Sequence, residues 1–347
     1  MSADPHFQRV ALIGFGLIGG SIARAAKLQG LAGEIVTTAR SEKTRARVLE
    51  LGIVDQVVAT NADAVKDADL VILCIPVGAC GPVAQEIALH LKPGAIVSDV
   101  GSVKGAIVRD MAPHLPKTIH FVPAHPVAGT EHSGPDSGFA ELFINRWCIL
   151  TPPEGVDADA TDRLRAFWAA MGAKVEVMTP DHHDLVLAIT SHLPHLIAYT
   201  IVGTADELQQ VTESEVIKFS AGGFRDFTRI AASDPTMWRD VFLANKEAVL
   251  EMLGTFTEDL AKLTRAIRRN DGEALFDHLL APAPSAAASS RSARTRRRRI
   301  SAASMGSSAR SRSTQVARTE RKRNPGPQSL EARFPDCASL HPGYEPA

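Results

Sequence analysis

Short apolar runs alternate with longer amphipathic stretches over the first half of the chain. The runs predict β-strands, and they are VALIG, EIVTT, QVVAT, LVILCIP, AIVSDVG, IHFVPAH and WCILTP. Between them, stretches such as LIGGSIARAAKLQG and TRARVLELG place apolar residues at helical spacing. This alternation of strands and helices predicts βαβ units around a mostly parallel sheet.

The pattern changes near the middle of the chain, where strand signals give way to helical ones. Thr179, followed by a proline and an aspartate, has the signature of a helix start. A second start at Ser233 or Asp234 opens a stretch that predicts one long helix. We therefore expect an α/β domain over 8–178 and a helical domain over 179–281. Helices this long and apolar usually pack against another chain as well, which favours a homodimer.

Charge separates the C-terminus from the rest of the chain. Residues 282–347 carry a balance of +9 against −10 for residues 1–281, within a net charge of −1. This tail is rich in Ala, Ser, Arg and Pro and cannot bury enough apolar surface to order itself, so we expect it to be disordered. An arginine-rich arm that binds nucleic acid is one interpretation. A shifted reading frame in a GC-rich gene is the other, and no catalytic role is expected.

Composition also limits the class of protein. No run of about 18 apolar residues is present, which argues against a membrane span. The polar N-terminus leads straight into the first strand and does not resemble a signal peptide. The cysteines are isolated, as expected for reduced core thiols of a cytoplasmic protein. They are Cys74, Cys80, Cys148 and Cys337.

The segment VALIGFGLIGGS contains a GxGxxG motif between the first strand and the first helix. Gly14 allows a tight turn, Gly16 lets a pyrophosphate approach the backbone, and Gly19 lets helix and strand pack closely. The phosphates would then lie at the helix N-terminus, with Leu17 and Ile18 as further contacts. This position, with more βαβ units behind it, predicts a dinucleotide site, the alternative being a glycine-rich turn of another α/β fold.

The end of the second strand normally selects the cofactor. An acidic residue there binds the ribose of NAD, and a basic one accommodates the 2′-phosphate of NADP. The segment EIVTTARSEKT has no acidic residue at that point and presents Arg40 and Ser41 instead, which favours NADP over NAD. Alternatively, Arg40 stacks on the adenine, which suits either cofactor. After the fourth strand, Ile75 and Pro76 form an apolar turn of the kind that covers a dinucleotide.

The next two strand ends carry polar residues. After AIV come Asp99, Ser102 and Lys104, and after IHFV come His125, Thr130, Glu131 and His132. Ligands of open α/β sheets bind outside the carboxyl ends of the strands, so a substrate should meet the nicotinamide here. The helical domain adds Ser191, His192, His195, Arg225, Asp226, Arg229, Trp238 and Arg239. Two arginines beside a glycine pair suit a substrate with carboxylates.

Five motifs, in this order and spacing, resemble the prephenate/arogenate (cyclohexadienyl) dehydrogenase family of tyrosine biosynthesis. They are GFGLIGGS, DVGSVKG, HPVAGTEHSG, SHLPH and GGFRDFTRIAASDPTMWRD. The resemblance covers about residues 8–280. It implies an N-terminal Rossmann-type doubly wound sheet followed by an all-α dimerisation domain. It also implies NAD(P)-dependent oxidative decarboxylation, which converts prephenate to 4-hydroxyphenylpyruvate or L-arogenate to L-tyrosine.

The resemblance further assigns roles to individual residues. His125 matches the catalytic histidine that takes the proton of the ring hydroxyl, and Ser102 matches the serine that shares this hydroxyl. Arg229 matches the arginine that binds the ring carboxylate. Glu131 and Asp226 match acidic residues that form ion pairs near the entrance. Further expected substrate contacts are His195, Ser191, Thr130, Arg225 and Trp238.

Other interpretations remain for some of these residues. His182, His183 and Asp184 lie at a helix start and are expected to cap it or to lie at the surface, not to bind a metal. Glu131 is alternatively an ordinary rim salt bridge. Two rival functions stay open: another two-domain dehydrogenase, acting on a β-hydroxyacid, and a nucleic-acid-binding protein with a vestigial cofactor fold. The sequence does not decide between prephenate and arogenate as the substrate, and it does not decide whether tyrosine inhibits the enzyme.

Overall fold

The computed structural model describes most of the chain ahead of the tail. The described residues are 5–130, 132–211 and 221–280, without the side chains of 209–211. The chain divides into two compact units between Arg269 and Asn270. Glu131 and the tail 282–347, with the predictions made for them, lie outside the described residues.

A six-stranded parallel sheet forms the centre of the N-terminal half. Its strands are β1 (Phe7–Ile13), β2 (Ala32–Thr38), β3 (Gln56–Val58), β4 (Leu70–Leu73), β5 (Ile96–Asp99) and β6 (His120–Phe121). Their order is β3-β2-β1-β4-β5-β6, with every pair parallel. This is the strand order of a doubly wound Rossmann-type sheet, in which the chain progresses outward in one direction from β1 and in the other from β4. It confirms the predicted fold class.

Helices cover both faces of this sheet. They are α1 (Leu17–Leu28), α2 (Glu42–Leu51), α3 (Asn61–Val65), α4 (Val77–Ile87), α5 (Lys104–Met111) and α6 (Ala158–Ala170). Side chains alternate along β1, so that Leu12 joins one core with Trp168 while Ile13 joins the other with Ile107. Burial on both faces explains why the strands are apolar runs without a polar face.

The predicted strand IHFVPAH is wrong as a single element. β6 ends at Phe121, and a separate strand β7 (Ala124–Pro126) belongs to a second, three-stranded sheet with β8 (Trp147–Leu150) and β9 (Lys174–Val177). Pro123 at the break has no N–H to extend a ladder. β7 pairs antiparallel to β8, with His125 opposite Ile149. His125 therefore lies inside a short strand beside the main sheet, not at the end of β6.

The C-terminal half of the described chain is helical, as predicted. Its α-helices are α7 (Pro180–Leu187), α8 (Leu193–Val211), α9 (Gly222–Thr228), α10 (Pro235–Ala244), α11 (Lys246–Arg268) and α12 (Gly272–Leu280). A π-helical turn, Ala188–His192, joins α7 to α8, and a 3-10 turn, Arg229–Ala232, follows α9. The last helix, α12, belongs to the second compact unit. The predicted caps are present: Thr179 accepts from the His182 N–H, and Asp234 accepts from two N–H groups of α10.

The single long helix predicted after Asp234 is interrupted. Asn245 has φ −107° and ψ 35°, outside helical values, and separates α10 from α11. Its side chain is buried and donates from Nδ2 to the carbonyl of Asp184 at 2.8 Å. The helix thus breaks at a residue whose amide is used in a contact with α7.

The helical segment Pro180–Leu208 has the length and mean hydropathy, 1.6, of a possible membrane span, which corrects the expectation that the described chain holds no such stretch. Core helices pass the same test of length and composition. This segment carries His183, Asp184 and His192, which are buried against other parts of the protein. These three polar residues therefore belong to the interior of the fold.

Candidate active site

The glycine turn after β1 has the shape that a dinucleotide phosphate group needs. Gly14 has φ +91°, and a side chain there would lie 2.5 Å from the carbonyl oxygen of Cys74. At Gly19 a side chain would lie 2.5 Å from the carbonyl oxygen of Gly14. At Gly16, the N-cap of α1, the space is open, and no side chain caps the helix. Free N–H groups and the helix dipole at this end suit a pyrophosphate.

The residues predicted to border the dinucleotide surround this turn. Leu17 and Ile18 open α1 and are half-buried, and Ile75 lies directly beside Gly14. Pro76 is exposed and is the N-cap residue of α4. The turn thus has an apolar wall on the side of β4.

The turn after β2 presents the residues predicted to select the cofactor. Arg40 is exposed, and Ser41 caps α2 by accepting from the Thr44 N–H at 3.0 Å. Arg45 holds the turn by donating to the carbonyls of Ala39 and Arg40 at 2.6 and 3.2 Å. The guanidinium of Arg40 is accessible to a ligand, whereas the hydroxyl of Ser41 is engaged by the helix.

His125 is the buried end of a chain of three side chains. Its Nδ1 lies 2.8 Å from Nε2 of His183, whose own Nδ1 lies 2.8 Å from Oδ1 of Asp184. The two rings meet edge to face, with centroids 5.1 Å apart. Only 8% of His125 is exposed, and His183 is fully buried. The expectation that His183 and Asp184 are capping or surface residues is therefore wrong, whereas His182 is exposed.

Their burial follows from helix geometry. His183 and Asp184 precede the buried Leu187, the last residue of α7, by four and three residues, so the three share the face of α7 that packs inward. That spacing was the signal in the sequence that could have found them. Asp184 is bound from outside α7 as well, because the N–H groups of Lys104 and Gly105 donate to its two oxygens at 2.7 and 2.8 Å.

Burial sets the electrostatics of the two histidines. Removal from water, with the nearby His183 and Lys104 as further causes, holds the pKa of His125 well below its usual value. Burial also lowers the pKa of His183, although its hydrogen bond to Asp184 acts in the opposite direction. Both imidazoles are therefore neutral at neutral pH, and His125 can accept a proton.

A buried ion pair supports the strand that carries His125. Lys104 and Asp99 are fully buried, and Nζ donates to Oδ2 at 2.5 Å. Nζ also donates to the carbonyl of Ala124, the residue before His125, at 2.8 Å. The Asp99 carboxylate accepts from the N–H groups of Gly101 and Ala124. Lys104 and Asp99, predicted as polar strand-end residues where a substrate would bind, are buried residues whose hydrogen bonds connect β5, α5 and β7.

The motif SHLPH contributes two further imidazoles. His192 is buried, and its Nδ1 lies 3.1 Å from Nδ2 of Asn245; burial lowers its pKa to about 4. His195 is half-buried, its Nδ1 donates to the carbonyl of Ser191 at 2.8 Å, and its ring stacks on Trp238 with centroids 3.7 Å apart. Burial lowers the pKa of His195 as well.

The remaining predicted substrate residues are more open. Ser102 is half-buried on the turn between β5 and α5, and Ser191 is half-buried in the π-helical turn. Exposed residues are Thr130, Arg225, Asp226 and Arg229. The structure joins His125 directly to His183, and His195 to Trp238, whereas the Thr130 hydroxyl accepts from an N–H of its own loop. Among the described residues, no three His, Cys, Asp or Glu side chains are grouped to hold a metal ion.

Asn245 is a buried residue beside these histidines that the sequence pattern did not indicate. Its amide contacts both the Asp184 backbone and the His192 ring. An asparagine within a helical stretch carries no marker of such a role, because the contacts join residues 61 and 53 positions apart.

Comparison with known proteins finds two family models that together span most of the described chain. A model described as prephenate dehydrogenase, nucleotide-binding domain, matches residues 22–177. A second, described as prephenate dehydrogenase, dimerization domain, matches residues 179–281.

Individual relatives agree with these models. The chain is 44% identical to the cyclohexadienyl dehydrogenase of Zymomonas mobilis, over 78% of this chain and 92% of that protein. It is 34% identical to the prephenate dehydrogenase of Bacillus subtilis, over 77% and 72%. Among solved structures, prephenate dehydrogenase from Aquifex aeolicus, in complex with hydroxyphenyl propionate and NAD+, is 34% identical. It superposes with a TM-score of 0.73 over 84% of this chain and 98% of that one. Arogenate dehydrogenase from Synechocystis is 27% identical, with a TM-score of 0.69 over 80% and 98%.

Proposed function

Because the chain belongs to the prephenate dehydrogenase family, we propose that it catalyses NAD(P)-dependent oxidative decarboxylation at the site around His125. The substrate is prephenate, L-arogenate or both, and the products are 4-hydroxyphenylpyruvate and L-tyrosine respectively. The observation that carries this proposal is a neutral, buried imidazole, His125, held by His183 in the same compact unit as an open glycine turn. The chain is an oxidoreductase of this family.

His125 has the properties that the reaction asks of a base. A nicotinamide dinucleotide held at the glycine turn would supply the acceptor for the hydride that leaves the ring carbon bearing the hydroxyl. His125 takes the proton of that hydroxyl as the carbon–oxygen bond gains double-bond character, and Ser102 shares the hydroxyl. Loss of the ring carboxylate as CO₂ then leaves the bonding electrons in the ring, which becomes aromatic, and the proton held by His125 returns to the oxygen to give the phenol. General-base catalysis of this kind contributes about 10²–10⁴ in rate.

The turn after α9 supplies the expected partner of the ring carboxylate. Arg229 lies in the 3-10 turn Arg229–Ala232 and is exposed. We propose that it binds the ring carboxylate, with His195, Ser191, Thr130, Arg225 and Trp238 as further substrate contacts. We also propose that Asp226 and Glu131 form ion pairs near the entrance of the site. A planar guanidinium binds a carboxylate through two parallel hydrogen bonds, which fixes the ring as well as holding it.

Replacing Arg229 by alanine is therefore expected to raise KM about 10–10²-fold, because the substrate loses one charge-assisted contact. The turnover number should change less, because the carboxylate is bound in the ground state as well. Steady-state kinetics with saturating cofactor measures both constants. Arg109→Ala is the matched control, since Arg109 is exposed on α5 and pairs with Asp110. An unchanged KM for Arg229→Ala would reassign the carboxylate contact to another residue.

We propose NADP+ as the preferred cofactor, with NAD+ as the alternative. The support is the exposed Arg40 guanidinium at the end of β2, where an acidic residue is absent. Purified protein assayed with prephenate and L-arogenate, each with NADP+ and NAD+, tests the proposed function and its details together. We expect turnover in at least one combination and a lower KM for NADP+ than for NAD+. A lower KM for NAD+ would assign Arg40 to the adenine instead.

A homodimer is the proposed assembly. The helical half exposes large apolar side chains on several helices, among them Ile201, Val202, Leu208, Leu243 and Leu250. Exposed apolar surface of this kind commonly lies in a subunit interface. We also propose a cytoplasmic location, supported by Cys74, Cys80 and Cys148, which are free thiols whose pKa burial raises. No catalytic role is proposed for residues 282–347.

A further inference from the structure

We infer that His183 and Asp184 are positioning residues that fix the tautomer of His125, so that its Nε2 carries the lone pair. This inference deepens the proposed function and rests on it, because a tautomer matters only if His125 acts as the base. The three side chains form one line of hydrogen bonds, from His125 through His183 to Asp184.

Asp184 determines which atom donates and which accepts in these two hydrogen bonds. Its Oδ1 accepts from the Lys104 N–H and its Oδ2 accepts from the Gly105 N–H. A carboxylate so placed is an acceptor at both oxygens, so Nδ1 of His183, 2.8 Å from Oδ1, is the donor. The two backbone donors and the Asn245 amide on the Asp184 carbonyl keep the carboxylate in place.

The position of the proton on His183 then determines the position of the proton on His125. A neutral His183 that donates from Nδ1 has its lone pair on Nε2. Because that Nε2 lies 2.8 Å from Nδ1 of His125, the Nδ1 of His125 is the donor. A neutral His125 that donates from Nδ1 keeps the lone pair on Nε2, where a base needs it. The opposite order would place a proton on Nε2 and disable the base.

Charges around the pair favour this arrangement. Lys104 with Asp99, from α5 and β5, and His192, from the π-helical turn, are the other titratable groups that act on the two rings. Lys104 and burial both lower the pKa values of His125 and His183, so the doubly protonated form of His183 is disfavoured. When His125 takes a proton, its Nδ1–H donates more strongly to His183, and Asp184 stabilises the charge at the far end.

Nitrogen NMR of the wild-type protein labelled with ¹⁵N-histidine tests the tautomer without turnover. We expect His125, assigned by its loss in His125→Asn, to show a protonated Nδ1 and an unprotonated Nε2 at neutral pH. This is the less common tautomer of a histidine in water, so its presence would report a hydrogen-bond acceptor at Nδ1, which Nε2 of His183 supplies. A His125 that is protonated on Nε2 in the wild type would overturn the inference, whatever the enzyme's activity.

Kinetics of two variants supplies the second test. His183→Leu keeps bulk but removes the acceptor, so kcat should fall about 10²-fold with KM little changed, the loss expected when a base is no longer held in its working form. His183→Gln retains an amide oxygen that can accept from Nδ1 of His125, and it should recover at least a tenth of the wild-type kcat. His182→Gln, at the exposed neighbouring position, should match the wild type.

A folded His183→Leu with kcat within threefold of the wild type would overturn the inference, as would equal losses in the Leu and Gln variants. If His183→Leu does not fold, the tautomer seen by NMR and the kcat of His183→Gln still test the inference. Wild-type protein that turns over neither prephenate nor L-arogenate would instead contradict the proposed function, so the two failures are distinct.

Discussion

Replacing His125 with asparagine is expected to lower kcat about 10²–10⁴-fold, the range of general-base catalysis, with little change in KM. The imidazole hydrogen bond to the ring hydroxyl strengthens as that hydroxyl becomes a carbonyl, so its loss falls on the transition state. Asparagine can still form a hydrogen bond with the substrate, but it cannot take the proton. Steady-state kinetics with saturating cofactor measures the effect.

His132→Asn is the matched control, because His132 is an exposed histidine on the loop that follows β7. It should retain the wild-type kcat. The wild-type pH profile gives a second measurement of the same residue. Since burial holds the pKa of His125 well below its usual value, the base stays unprotonated as the pH falls, and kcat/KM should decline only below the usual histidine range. Near-normal kcat in His125→Asn would remove His125 from the base role.

Replacing Lys104 with methionine is expected to lower the free energy of unfolding by about 3–5 kcal/mol, the usual cost of removing one partner of a buried ion pair. The Asp99 carboxylate would remain buried without its cation, and the carbonyl of Ala124 would lose its donor. Denaturant unfolding at neutral pH measures the loss. Lys92→Met is the control, because its ion pair with Asp69 lies at the surface and should contribute about 1 kcal/mol or less.

The loss of stability in Lys104→Met should depend on pH. Burial already raises the pKa of Asp99 in the folded protein, and removing Lys104 should raise it further. An acid whose folded pKa is raised destabilises the fold above that pKa, and the penalty is relieved as the pH falls through it. The deficit of Lys104→Met should therefore shrink at acidic pH. A deficit equal to that of Lys92→Met at every pH would contradict the role assigned to this pair.

Features that depend on neighbouring residues could be predicted from the sequence. Gly14, Gly16 and Gly19 belong to one turn, and their spacing with the strand before them was enough to predict its shape. The apolar strands of the parallel sheet are buried on both faces, so they appear as unbroken runs. Helix caps are equally local, which is why the starts at Thr179 and Asp234 were found.

Features that depend on distant contacts could not be predicted. The helical spacing of His183 and Asp184 indicates their burial but not their partners, because His183 contacts a residue 58 positions earlier and Asp184 accepts from N–H groups 80 and 79 positions earlier. The break at Asn245 has the same cause, since the amide is used by α7. The division of IHFVPAH follows from the pairing of β7 with β8, which lies beyond the reach of local pattern.

Hydride transfer coupled to aromatisation at the site of His125 is the central claim, and product analysis tests it most directly. Purified wild-type protein would be incubated with prephenate or L-arogenate and with NADP+ or NAD+, and both products would be quantified. We predict reduced cofactor and aromatic product in equal amounts in at least one combination, and the parallel loss of both in His125→Asn. Failure of all four combinations, or reduced cofactor formed without an aromatic product, would contradict the account.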